Sequence, residues 1–177
     1  MKLKNSLKNV SLGTLIVAVS AALFFFLTLG FITSYYPLFY DGNSETYEFY
    51  QLMQRFNKYI FNSSIVIVIF TIFMIPFDIH KRKANLLVMI YLAAFAAYVG
   101  NVMSVILQVV PGYIQSYEAL DLSFMANYNA TTLPLVLTYI IIGVILATLL
   151  VMLVSTIVRY FRLRSELKKE GAVSYEQ

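Results

Sequence analysis

Polar side chains recur along one face of the third of four apolar stretches, and they are the residues of this chain best placed to do chemistry. Tyr91, Tyr98, Asn101 and Gln108 follow one another at spacings of seven, three and seven residues, and Ser104 borders them. Such spacing places side chains on one face of a helix. Amides that face lipid are costly, so we expect this face to look into protein or water. It predicts either hydrogen bonds between helices or a lined cavity for a small ligand, a quinone or a lipid headgroup.

The groups that usually carry membrane chemistry are missing from the apolar stretches, which contain no Asp, Glu, Lys, Arg or His. Proton pumps, ion-coupled transporters and intramembrane hydrolases place such groups at membrane depth. The chain also has no cysteine and a single histidine, His80, which argues against thiol chemistry, a bis-histidine haem and a multi-histidine metal site. We therefore expect no enzymatic activity, no cofactor and no metal.

The four stretches themselves cover residues 12–34, 59–77, 86–110 and 133–158. Each is close to the roughly 20 residues that cross a hydrocarbon core of about 30 Å. The composition agrees, since 60% of the residues are hydrophobic, 12% are charged and the mean hydropathy is +0.75. We predict an all-α, polytopic integral membrane protein, folded as an antiparallel four-transmembrane-helix bundle in one membrane domain over residues 1–177.

The basic residues predict the orientation of this bundle. All of the 13 Lys and Arg residues except Arg55 and Lys58 lie before the first span, between the second and third, or after the fourth. The positive-inside rule then places both termini and the turn at 78–85 in the cytoplasm. Because the residue usage is rich in Lys, Asn, Ile, Tyr and Phe, we expect a multi-pass protein of a prokaryotic plasma membrane. Orientation accounts for these charges, so no nucleic-acid partner is expected, but anionic lipid is a candidate ligand of Lys81, Arg82, Lys83, Arg159, Arg162 and Arg164.

The two outer loops, 35–58 and 111–132, carry structural signals of their own. A turn and helix cap at 41–44 precede an apolar stripe that begins after Glu45. This segment either lies in the membrane interface or extends the second span outwards, and we favour the extension because no Gly or Pro interrupts it. In the second loop, Pro111-Gly112 predicts a turn, and Tyr117 to Phe124 predicts a short amphipathic helix.

Small residues mark two further candidate packing faces, Ala18 with Ala21 in the first span and Gly143 with Ala147 in the fourth. Small side chains at such spacing let helices approach closely, within the chain or between subunits.

These patterns favour a non-catalytic accessory or structural subunit of a larger membrane complex. The expected partners are membrane lipids and other membrane subunits, or further copies of the chain. Two alternatives stay open. The polar face of the third span predicts a homo-oligomeric pore or a permease element for a small solute or lipid, and the outer loops are compatible with an immunity-type membrane protein.

Overall fold

The structure is a computed structural model, which describes residues 11–30, 35–79, 86–125, 128 and 131–173. Five α-helices occur within these ranges, and no β-strand does: α1 (Leu12–Gly30), α2 (Pro37–Tyr40), α3 (Ser44–Ile79), α4 (Leu86–Glu118) and α5 (Leu133–Val173). All but the short α2 are long and apolar enough to cross a membrane, as a multi-pass membrane protein requires.

The second span is extended at its N-terminal end, as predicted, because α3 runs without a break from Ser44 to Ile79. Asn43 caps its first turn: the Asn43 Oδ1 accepts a hydrogen bond from the Thr46 backbone N–H at 3.0 Å. The Thr46 hydroxyl in turn donates to the Asn43 carbonyl at 3.0 Å. The first of these bonds satisfies a backbone N–H that a helix start otherwise leaves without a partner. The cap therefore marks the start of α3 at Ser44, well before the apolar stretch.

The predicted turn at Pro111-Gly112 is wrong, and so is the separate short helix after it, because α4 continues through both residues to Glu118. Proline removes one hydrogen bond from a helix interior and favours a kink. Beyond it, however, the rings of Tyr113 and Tyr117 lie 6.4 and 5.7 Å from the ring of Phe49 on α3. This aromatic packing between the two helical extensions offsets the lost backbone bond.

The first turn of α5 is tied to the segment that follows α1. The Leu133 N–H donates to the Thr131 hydroxyl at 3.2 Å, and Pro134 has no N–H to satisfy. The Leu135 N–H donates to the Tyr35 hydroxyl at 2.9 Å, across 100 residues of sequence. A helix start leaves its first N–H groups without intrahelical partners, so this bond both completes the turn and fixes its position.

The long helices pack so that α1 contacts α3 and α5, while α4 contacts α5 and α3. Fully buried side chains, among them Phe24, Phe95 and Leu146, form the apolar core. Buried hydroxyls are interspersed with them: Thr28 and Ser64 donate at 2.7 Å to carbonyls of their own helices. Since these hydroxyls are already satisfied, they permit close helix packing without a partner on another helix.

Candidate functional site

The polar face predicted on the third span lies on α4, and the half nearer the N-terminal end of α4 packs against α3. The Tyr91 hydroxyl donates a hydrogen bond to the Phe70 carbonyl, and the two rings lie 5.3 Å apart. The Tyr98 ring stacks on Phe70 with the centroids 6.1 Å apart. Tyr91 and Tyr98 therefore join two helices of the same chain.

The half of this face nearer the C-terminal end of α4 points away from the other helices. Asn101, Ser104 and Gln108 are exposed on the surface of the packed helices. The Gln108 Nε2 donates to the Ser104 Oγ at 3.3 Å, along the same helix. No hydrogen bond of the Asn101 side chain is found among the described residues. These polar groups are therefore available to something outside the chain.

Helix geometry explains why one predicted face divides in two. At about 100° per residue, Asn101 lies about 80° around the helix from Tyr91, and Gln108 lies about 100° from it. Ser104 is displaced further in the same direction, by about 140°. The tyrosines thus occupy the edge of the arc that meets α3, while the amides occupy the part that no helix of this chain covers.

Small side chains surround the exposed amides on α4. Ala97 and Ala94 are exposed one and two turns before Asn101, and a Cβ atom built on Gly100 would meet no other atom within 4 Å. We call the surface formed by Ala97, Gly100, Asn101, Ser104 and Gln108 the α4 amide face. Most of its side chains are small, none is charged, and three of them can form hydrogen bonds.

The other small-residue pairs have mixed surroundings. Ala21 is buried in the core and Ala18 is half-buried. Ala147 is half-buried, whereas a Cβ atom on Gly143 would meet nothing within 4 Å. Only the α1 pair therefore has one member fully enclosed by the chain.

Of the six candidate lipid-contact residues, three lie outside the described ranges: Lys81, Arg82 and Lys83. Arg159 and Arg162 are exposed on the final turns of α5, and Arg164 is half-buried. The three arginines extend an apolar helix into a basic segment, as contact with anionic headgroups requires.

The aromatic residues around α2 and at the C-terminal end of α4 form two separate groups, a distinction that sequence reasoning missed. One group is internal: the Tyr35 ring meets Tyr117 edge to face at 5.4 Å, and the Tyr117 and Tyr128 hydroxyls lie 2.9 Å apart. Burial raises the pKa of Tyr35 from 10.0 to about 12, and it also raises the pKa of Tyr128. This group joins the segment that follows α1 to the end of α4.

The second group is exposed around α2. The Phe39 ring lies 4.9 Å from Tyr40 and 5.4 Å from both Tyr47 and Tyr50, and Tyr36 lies 5.1 Å from Tyr40. Tyr50 is buried beneath the others. Contiguous exposed rings of this kind are typical of interaction surfaces or of anchors at a membrane interface.

An apolar groove of about 400 Å³ lies between α1 and α3, lined by Ala22, Phe25, Phe26, Phe61, Ile65, Val68 and Ile69. It has the character of an acyl-chain contact and offers no polar group for chemistry. Within the described ranges, no group of three or more His, Cys, Asp or Glu side chains is close enough to hold a metal ion.

No family model, curated protein or solved structure matches this chain. The residues and their geometry therefore carry the functional argument.

Proposed function

We propose that this chain is a non-catalytic integral membrane protein that serves as an accessory or structural subunit of a larger membrane assembly. Its four long helices form an antiparallel bundle in a prokaryotic plasma membrane, with both termini in the cytoplasm. The basic residues that flank the spans support this orientation. The contact between Tyr91 and Phe70 supports antiparallel packing of α3 and α4, since few residues separate the two helices.

The observation that carries the proposal is the exposure of Asn101, Ser104 and Gln108 on α4. At 1.5 Å per residue, Asn101 lies about 14 Å from Val110 and about 22 Å from Leu86 along the helix. It is therefore near the middle of a hydrocarbon core of about 30 Å. An amide that faces acyl chains at this depth loses its hydrogen bonds to water and gains none in return. A neighbouring protein surface removes that cost.

Extraction of the tagged chain into lipid nanodiscs, followed by mass spectrometry of the intact particle and of the proteins in it, tests the proposal. We expect a partner in a fixed ratio to the chain, either another membrane subunit or a further copy of the chain itself. The substitution Asn101→Leu should reduce the amount of that partner, because it removes the amide from the contact. Asn62→Leu is the matched control, since Asn62 is also exposed but lies only about 5 Å along α3 from Tyr59, near the end of the apolar stretch. A homogeneous lone chain would contradict the proposal.

A second candidate function uses the same surface. Because the amide face is exposed, several copies could arrange it around a shared axis as a pore or a permease element for a small solute or lipid. Flux of small solutes into liposomes that contain the purified chain separates the two functions. If the chain forms a pore, the wild type should support flux and the Asn101→Leu variant should support less. If it is a structural subunit, neither the wild type nor the variant should support flux.

A further inference from the structure

We propose that the α4 amide face binds the same face of a second copy of this chain. This inference rests on the proposed subunit function and names the partner. The contact would run along α4 from Ala97 to Gln108, about 16 Å or three helical turns.

The hydrogen-bonding groups of the face can pair with themselves. A carboxamide carries both a donor N–H₂ and an acceptor oxygen, and a hydroxyl also has both roles. The face presents two carboxamides, Asn101 and Gln108, with the hydroxyl of Ser104 between them and no charged group. A lysine or carboxylate would repel its own copy, but an amide donates to its copy and accepts from it at the same time. The face is therefore complementary to itself.

The shape of the face permits the approach that such bonds need. Gly100 has open space where a Cβ would lie, and the small residue Ser104 follows it by four residues. Close contact of helix backbones in membranes depends on small residues at this kind of spacing. The long side chain of Gln108 does not block this approach, because it already folds back along α4 towards Ser104.

Membrane insertion supplies the symmetry. Copies of one chain share one orientation in the bilayer, so two α4 helices meet in parallel about a two-fold axis along the membrane normal. Such an axis brings each residue to the depth of its own copy. Asn101 therefore meets Asn101 near the middle of the membrane, where reciprocal amide bonds have no competition from water.

Disulfide cross-linking in native membranes tests the pairing, and it is unusually clean because the chain has no cysteine. Ala97→Cys and Ser104→Cys each place one thiol on the face while leaving Asn101 intact. Ile69→Cys and Val151→Cys are matched controls, since both residues are exposed on other helices. We expect an oxidised product of twice the 20.2 kDa chain mass for the first pair and not for the second.

The amide is tested in the Ala97→Cys background. Adding Asn101→Leu should weaken the association about tenfold, because reciprocal hydrogen bonds of ordinary strength in a membrane are lost. The cross-linked fraction should therefore fall when the protein density in the membrane is limiting. Adding Asn62→Leu should leave that fraction unchanged. Equal cross-linking at all four cysteine positions, or none at Ala97 and Ser104, would overturn the pairing.

A benzophenone attached to the same cysteines distinguishes this inference from the proposed function, because it captures partners that have no thiol. An adduct with a different protein at Ala97 and Ser104 would overturn pairing with a second copy but support the subunit function. A chain that forms no adduct with any protein would overturn both.

Discussion

Replacing Tyr35 by phenylalanine removes a single oxygen atom and leaves a buried backbone N–H without a partner. Tyr35 is 1% exposed, and its hydroxyl is the acceptor for the Leu135 N–H at 2.9 Å. This N–H lies in the first turn of α5, where no carbonyl of the same helix is available to it. A buried donor left unpaired in this way costs about 1–3 kcal/mol, a substantial part of a typical stability of about 5–15 kcal/mol.

The assay is thermal unfolding of the purified protein in detergent, with Tyr36→Phe as the matched control. Tyr36 is 49% exposed, and its hydroxyl makes only a 3.4 Å contact with Tyr40. For a chain of this length, each kcal/mol corresponds to about 2–4 °C, so Tyr35→Phe should lower Tm by about 2–12 °C. Tyr36→Phe should change the stability by less than about 0.5 kcal/mol. Equal Tm values for the two variants would refute the role assigned to the Tyr35 bond.

Three further predictions concern single positions. Gly42→Ala should lower the stability by about 1–3 kcal/mol in the same unfolding assay, because an added Cβ would collide with the Thr46 side chain. Raising the pH should remove the stability advantage of the wild type over Tyr35→Phe. Burial raises the pKa of Tyr35 from 10.0 to about 12, so the advantage should be complete below pH 10 and lost as the pH rises through about 12, as pH-dependent Tm values would report. Tyr91→Phe should lower the stability by about 1 kcal/mol, measured by the same unfolding, because it removes the hydroxyl that donates to the Phe70 carbonyl.

Each of these has a control and a contradictory result. Gly112→Ala should be neutral or stabilising by up to about 1 kcal/mol, since its added Cβ meets open space in a helix; a loss as large as that of Gly42→Ala would contradict the steric argument. A constant difference between wild type and Tyr35→Phe up to pH 12 would contradict the raised pKa. Tyr98→Phe should leave the stability nearly unchanged because the ring stacking remains, and a larger loss there than at Tyr91 would reverse the assignment.

The long helices could be predicted because apolar length is a direct signal. Uninterrupted apolar stretches about as long as a bilayer crossing admit few structures other than helices. The N-terminal extension of α3 could be predicted as well, since its cap at Asn43 and its apolar stripe are local features.

What failed was local reasoning about Pro111, because the packing that overrides it comes from Phe49 on a different helix. Tertiary contacts of this kind leave no trace in the neighbouring sequence. The separation of the outer aromatic residues into a buried and an exposed group was hidden for the same reason. Spacing shows that Tyr35 and Tyr36 are adjacent, but only the fold shows that one is buried beside Tyr117 and the other is exposed.

The spacing of residues along a helix shows which side chains share a face, but it does not show what that face meets. The spacing from Tyr91 to Gln108 identified a polar helix face, and the structure divides it between a contact with α3 and an exposed surface. A periodic pattern defines an arc on a helix without saying which part of the arc a neighbour covers. The exposed part, at Asn101, is the basis of the proposed subunit role.

Native mass spectrometry of the intact protein released from nanodiscs tests that role most directly. We expect a particle heavier than one 20.2 kDa chain, with Asn101→Leu shifting the population towards the single chain and Asn62→Leu leaving it unchanged. A wild-type protein found only as a single chain with bound lipid would show that it is not a subunit of a larger assembly.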